Sequence, residues 1–424
     1  GIPEEEATRR TIMRYYKRKN PMLVREMIRN VYKECKGVPK SSCLTKEQRL
    51  SLQMDEFMNR RYEFRYNTQI GEVEYRERFS FQFYFHPIDK RAQNSIMLDA
   101  QSEGIGVWDR DIDRYLHSNR VPIYNPLEEF LFHLPHWDGK DRIHALANRV
   151  PCKNPHWELL FHRWFLNMVS HWRGVDKMHA NNTSPILVGR QGTHKSTFCR
   201  EMIPPALRAY YTDSIDFSHK RDAELYLNRF ALINIDEFDQ ITLPQQGFLK
   251  HILQKPVVNL RKPHGRSVLE LQRYASFIGT SNQKDLLTDP SGSRRFICIE
   301  VTGNIDTTQP IDYEQLYAQA MHEIHHGERY WFDSEDEQIM TENNREFEQT
   351  PAMLQLFYQY FKAAQTKEEG EFLTPVEILN YLKKKSGISL SDNKVYHFGR
   401  LLQKCGIPSK HTYKGTVYQV IKVL

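Results

Sequence analysis

Pro185-Ile186-Leu187-Val188-Gly189-Arg190-Gln191-Gly192-Thr193-His194-Lys195-Ser196-Thr197 is the stretch on which the reading of this chain turns. An apolar run suited to a buried strand enters a glycine-containing loop, and Phe198-Cys199-Arg200-Glu201 continues it as a helix. Backbone N–H groups of such a loop, aided by the positive end of the helix, cradle phosphate oxygens. The lysine of the pattern reaches the outer phosphates and the hydroxyl after it ligates Mg²⁺, roles that fall here to Lys195 and Ser196. Gly189, Gly192, Thr193, His194, Lys195, Ser196 and Thr197 are therefore the candidate nucleotide-binding residues. His194 departs from G-x-x-x-x-G-K-[ST], standing where the second glycine is expected. A Cβ there restricts the left-handed backbone that glycine reaches freely, although histidine tolerates it better than most residues.

A second apolar run, Leu232-Ile233-Asn234-Ile235, ends in Asp236-Glu237. Two acids at the tip of a buried strand are costly unless they serve a cation. Asp236 is the expected partner of Ser196 at Mg²⁺, and Glu237 the group that polarises water. A third run, Phe277-Ile278-Gly279-Thr280-Ser281, ends in Asn282, a candidate γ-phosphate sensor. Arg294 and Arg295 follow, and an arginine so placed neutralises transition-state charge, often from a neighbouring subunit.

These runs, with Phe296-Ile297-Cys298-Ile299, alternate with helical patterns and predict an α/β domain around a buried sheet. We expect a basic helical segment at 1–60, an α+β region at 61–154, the core at 155–335, a helical linker at 336–370 and a distinct module at 371–424. The alternation of Tyr62-Glu63-Phe64-Arg65-Tyr66 and of Phe79-Ser80-Phe81-Gln82-Phe83 predicts strands, with a turn at Gly71. Two helices, Leu373–Lys385 and Ser391–Lys404, then a hairpin turned at Lys414-Gly415, make a winged-helix pattern at the end.

The 424 residues carry a net charge of +6, unevenly spread. Residues 1–61 hold 15 Lys and Arg against 8 Asp and Glu, and 371–424 hold 9 against 3, which leaves an acidic middle. Basic ends around an acidic middle suit either a polyanion held by appendages or a plainly solvated surface. Six scattered cysteines, none in a C-x-x-C pair, argue against a zinc ribbon or a disulfide framework and suit a reducing cytoplasm. No apolar run reaches the roughly 18 to 20 residues needed to span a bilayer, and no signal peptide stands at the start. Gly1 in place of an initiator methionine predicts a natural start upstream.

The compact succession of phosphate loop, acidic strand, Asn282 and arginines resembles the superfamily 3 helicases, ring motors of small viruses and mobile elements. Val258-Asn259-Leu260-Arg261-Lys262-Pro263-His264-Gly265-Arg266 lies where those helicases carry a channel hairpin, so Lys262, His264 and Arg266 are candidate DNA contacts. More narrowly, the chain resembles the virulence-associated protein E family of bacterial mobile elements over about residues 60 to 335. Tyr124-Asn125-Pro126, Leu134-Pro135-His136-Trp137-Asp138-Gly139-Lys140-Asp141-Arg142-Ile143, the phosphate loop and Asp289 to Phe296 carry that resemblance. It implies an AAA+-like P-loop core and a DNA-dependent ATPase using ATP and Mg²⁺. It further implies a hexameric homo-oligomer around single-stranded DNA, working beside a primase in a bacterial cytoplasm, off the membrane. In the terminal module Lys394, Arg400 and Lys414 are candidate DNA contacts. A nucleotide-driven switch or remodelling factor that unwinds nothing remains the alternative.

Three features point elsewhere and are set aside. His322-Glu323-Ile324-His325-His326 matches the zinc-peptidase H-E-x-x-H, but Gly327 stops the helix and no third ligand is framed. Asp109, Asp111 and Asp113 alternate with Arg110 and Arg114 and fit a solvated helix better than a metal cluster. The aromatic stripe at 62–85 fits core packing better than base stacking.

Overall fold

A computed structural model of the chain describes residues 44–81, 83–174, 178–260, 269–287, 290–349, 352–364, 370–387, 395–413 and 415–423. Two compact units are present, Gly1–Asn125 and Pro126–Leu424.

In the first unit Thr45 caps the helix Lys46–Arg61 reciprocally with Gln48. Strand β1 (Tyr62–Asn67) pairs antiparallel with β2 (Glu72–Glu77) across a turn in which Gly71 has φ 73°. Short β3 (His86–Pro87) and β4 (Ile123–Tyr124) complete the order β3-β2-β1-β4. Tyr62, Phe64 and Val73 meet Phe57, Ile96, Ile112 and Tyr115 in one core, so the first half of the aromatic stripe is packing. The second half departs from the expected strand. Among the described residues none of 78–85 lies in a strand, and Phe79 and Phe81 are 89% and 96% exposed. Alternation alone makes no strand where no neighbouring strand accepts its edge. Asp111 accepts from the backbone N–H of Trp108 and pairs with Arg114, capping the helix Asp109–Leu116.

In the second unit five parallel strands form the sheet β11-β5-β10-β7-β6. They are β5 (Ser184–Val188), β6 (Tyr211–Thr212), β7 (Leu232–Ile235), β10 (Ser276–Ser281) and β11 (Phe296–Glu300). Strands covered on both faces must be apolar throughout, and β5, β7 and β10 are buried at every position. The helix Trp157–Trp172 contributes Trp164, Phe165 and Trp172, all fully buried. Residues 126–154, grouped with the preceding region in the sequence reading, lie in this second unit. There the helix Arg142–Ala147 packs on Trp157–Trp172 and on Tyr313–His325. Because β10 inserts between β5 and β7, the carboxyl ends of three strands that are distant in sequence meet at one edge. Such an edge is where ligands bind in open parallel sheets.

Strands β8 (Val257–Leu260) and β9 (Leu269–Gln272) form an antiparallel hairpin with Asn259 opposite Glu270. The segment after β11 holds the helices Ser334–Asn344 and Ala352–Tyr360, and then β12 (Phe361–Ala363). Helices Pro375–Ser386 and Val395–Lys404 follow β13 (Glu371–Leu373). The hairpin β14 (Ser409–Thr412) and β15 (Gly415–Lys422) closes the chain, and β15 also pairs with β12 and β13. Phe357, Phe361, Ile378, Leu382, Phe398 and Val420 give this end a core of its own. No helix among the described residues is long and apolar enough to cross a membrane.

Candidate functional site

The loop after β5 is held on two sides. The N–H of Gly189 donates to Ser281 O at 3.0 Å, and the N–H of Ile305 donates to Thr193 O at 3.1 Å. At Gly189 a Cβ would stand 3.0 Å from Val301 O and 3.2 Å from Val301 Cβ, so a larger residue would push the loop off β11. Gly192 has φ 84°, and His194 takes φ 66° and ψ 21° directly before the helix Lys195–Glu201. The imperfect position of the motif thus adopts the left-handed conformation that its glycine would have supplied. Among the described residues only His194 and Glu237 are non-glycine residues with positive φ. Glu237, with φ 53° and ψ 52°, turns the chain sharply at the end of β7. Two strained residues facing one cavity mark a place where backbone geometry outranks local comfort.

Lys195 is 6% exposed. Its Nζ donates to Gly189 O and Arg190 O at 2.7 Å each, with longer contacts to Asn282 Oδ1 at 3.3 Å and Thr193 Oγ1 at 3.4 Å. Burial lowers its pKa, and the negative charge of Asp236 opposes that shift. Ser196 Oγ donates to Asp236 Oδ1 at 2.9 Å, and the hydroxyl of Thr280 donates to the same oxygen. One carboxylate oxygen therefore gathers hydroxyls from the helix and from β10. Gln191 to Thr197, Asp236, Glu237, Thr280 and Asn282 line a cavity of ≈ 310 Å³. A neighbouring cleft of ≈ 560 Å³ is lined by Gly189, Thr193, Asn282, the Lys284–Glu300 ion pair and Val301 to Asn304.

The structure thus brings together every candidate nucleotide-binding residue and three of the five candidate groups that follow in sequence, with the two arginines outside. Arg294 and Arg295 are not among the residues lining either cavity. Arg294 instead donates to Glu337 Oε2 at 2.8 Å, on the helix Ser334–Asn344. Lys262, His264, Arg266, Lys394 and Lys414 lie outside the described residues, whereas Arg400 is exposed on Val395–Lys404.

Sequence reasoning missed two groups. Thr280 lies inside the apolar run Phe277–Ser281, which hides its hydroxyl from a reading by pattern. Asp239, three residues beyond Asp236, accepts from Ser281 Oγ at 2.9 Å and from the N–H of Asn282 at 3.4 Å, so it fixes the tip of β10. A third acid just past the strand end was the available signal. The H-E-x-x-H residues are structural. Glu323 Oε2 bonds His162 Nε2 at 2.6 Å and Oε1 accepts from Gln319 at 2.9 Å, while His322 stacks on His326 and meets Trp137 at a tilt. No cluster of metal-ligating side chains occurs among the described residues.

A glycine-bearing loop over a parallel sheet thus sets a buried lysine and a strand-tip carboxylate beside one cavity. Residues 131–349, just over half of the chain, match the virulence-associated protein E-like domain, and the chain belongs to that family. Residues 350–420 match a domain of unknown function from a B. theta gene (DUF3874). Tyr124-Asn125-Pro126, part of the resemblance in sequence, falls before the matched segment. No curated protein matches the chain. Among solved structures it is similar to the apo structure of the NrS-1 C terminal region (305-718), with a TM-score of 0.44 and 11% identity over 90% of this chain and 100% of that chain. The A form apo structure of the same region gives a TM-score of 0.44 and 11% identity over 88% and 99%.

Proposed function

We propose that the chain is an ATP-hydrolysing motor of the superfamily 3 kind that moves on DNA during replication of a mobile element. The observation that carries this is the shared contact of Ser196 and Asp236 beside buried Lys195, on a loop whose His194 is held left-handed. A hydroxyl and a carboxylate within hydrogen-bond distance suit Mg²⁺, which supplies charge neutralisation on the outer phosphates when bound. Ser196 and Asp236 would hold the ion, and the loop N–H groups with Lys195 would hold ATP. Glu237 orients and polarises the attacking water, and Asn282 aligns the terminal phosphate. The strand order, with β10 between β5 and β7, supports an AAA+-like P-loop reading of the core. Two helices followed by β14 and β15 support a winged-helix reading of the end.

Arg295, with Arg294, serves the nucleotide of a neighbouring copy in a ring. Their place outside both cavities of a single chain supports that assignment. The hairpin β8–β9 would carry Lys262, His264 and Arg266 to single-stranded DNA, with Lys394, Arg400 and Lys414 as outer contacts; a primase is the expected working neighbour.

The deciding experiment is ATP turnover against protein concentration, with and without single-stranded DNA. A motor with a shared arginine gives turnover per chain that rises steeply with concentration and rises again with DNA. Turnover that is flat in both would leave an ATPase and remove the motor, favouring a switch or remodelling factor.

A further inference from the structure

The helix Ser334–Asn344, at the start of the expected helical linker, touches the arginine segment through Glu337 and Asn344. Glu337 and Asn344 lie two turns apart on one face of this helix. Glu337 pairs with the Arg294 guanidinium, and Asn344 reaches the backbone on either side of both arginines. Asn344 is fully buried. Its Nδ2 donates to Ser293 O and to Phe296 O, both at 2.7 Å, and its Oδ1 accepts from the N–H of Cys298 at 3.3 Å. Asn343 Nδ2 donates to Cys298 O at 2.8 Å.

The topology explains why these groups are available. β11 is the outer strand of the sheet, so its backbone groups facing away from β5 have no strand to meet. Left buried and unpaired, each would be costly. The two asparagine amides supply what a sixth strand would have supplied. Unlike a strand, they also clamp residue 293, upstream of the arginines, to residue 296, downstream of them. One side chain therefore fixes the span in which Arg294 and Arg295 sit.

We infer that Asn344 is a positioning residue for the arginine pair, holding Ser293–Phe296 so that Arg294 and Arg295 are presented to a neighbouring copy's nucleotide. This rests on the reading above that the arginines act between copies. Displacing a catalytic group by about 1 Å costs on the order of 10²-fold in rate.

The test compares Asn344→Ala, Arg295→Ala and Lys195→Ala in the full chain, alone and mixed in pairs, with a thermal melt for each. Asn344→Ala should keep its affinity for a fluorescent ATP analogue within about twofold and lose about 100-fold in kcat. Mixing it with Lys195→Ala, which lacks a working nucleotide site but retains intact arginines, should restore turnover. Should Asn344→Ala fail to fold, Asn344→Ser, small and uncharged, carries the same test. Unchanged kcat in a folded Asn344 variant overturns the inference. So does a variant that mixing fails to rescue while Arg295→Ala mixed with Lys195→Ala recovers. Full turnover by Arg295→Ala alone would instead sink the trans-arginine reading, a different failure.

Discussion

His194 enters the helix Lys195–Glu201 from a left-handed backbone, which sets what a substitution there can do. The φ of 66° is one that glycine would adopt without strain, and a strained non-glycine residue costs about 1–3 kcal/mol. Glycine relieves that strain but loosens the unfolded chain by about 0.5–1 kcal/mol. His194→Gly should therefore leave the melting temperature unchanged or raise it, whereas β-branched His194→Val should destabilise clearly and weaken nucleotide binding. Paired thermal melts and nucleotide titrations of the two variants check this. If valine proved as stable as histidine, the loop would have another route through that position. Asp239 offers a second residue-scale check. Asp239→Asn weakens the hold on Ser281 and Asn282 and should lower kcat with little change in nucleotide affinity. A loss confined to affinity would mean that the acid does not act through Asn282.

Among the elements, the hairpin β8–β9 depends on a residue that carries no chemistry. Arg273, at its exit, is fully buried and pairs with no carboxylate among the described residues. It donates to the carbonyls of Ile252, Leu253, Lys255, Ala275 and Asn181. Burial pushes its pKa down to about 9, still above neutrality, and the ring of carbonyls suits the charged form. It closes the end of the helix Leu243–Leu253 and ties the hairpin base to β10. Arg273→Leu leaves several buried carbonyls unanswered and should cost about 3 kcal/mol or more, read by urea unfolding. A loss below about 1 kcal/mol would show that water replaces the guanidinium. At this scale the sequence was readable where burial imposes a pattern. The apolar runs at 186–188, 232–235 and 276–281 became the inner strands, and their polar ends became the cavity. It misled at Phe79–Phe83, because alternation states which residues share a face and not whether a neighbouring strand exists. Arg273 and Asn344 were illegible for a related reason: their partners are backbone groups brought near by topology, which no spacing encodes.

For the whole molecule, the separate cores have a thermodynamic consequence. The cluster around Phe357 and Phe398 draws only on residues from 353 onward, while Phe347 belongs to the cluster around the parallel sheet. Calorimetry of the full chain should resolve more than one transition, and a chain ending at Gln349 should lose one while keeping nucleotide binding. A single transition in both would mean that the terminal module and the sheet domain unfold as one. The resting place of Lys195 bears on selectivity. Its ammonium already has two short bonds to carbonyls of its own loop, so any arriving anion competes with an existing solvation shell made of protein. A lone phosphate gains little from that exchange. On the proposed reading a triphosphate brings enough charge to draw the ammonium out, so the site should act as a threshold against small anions.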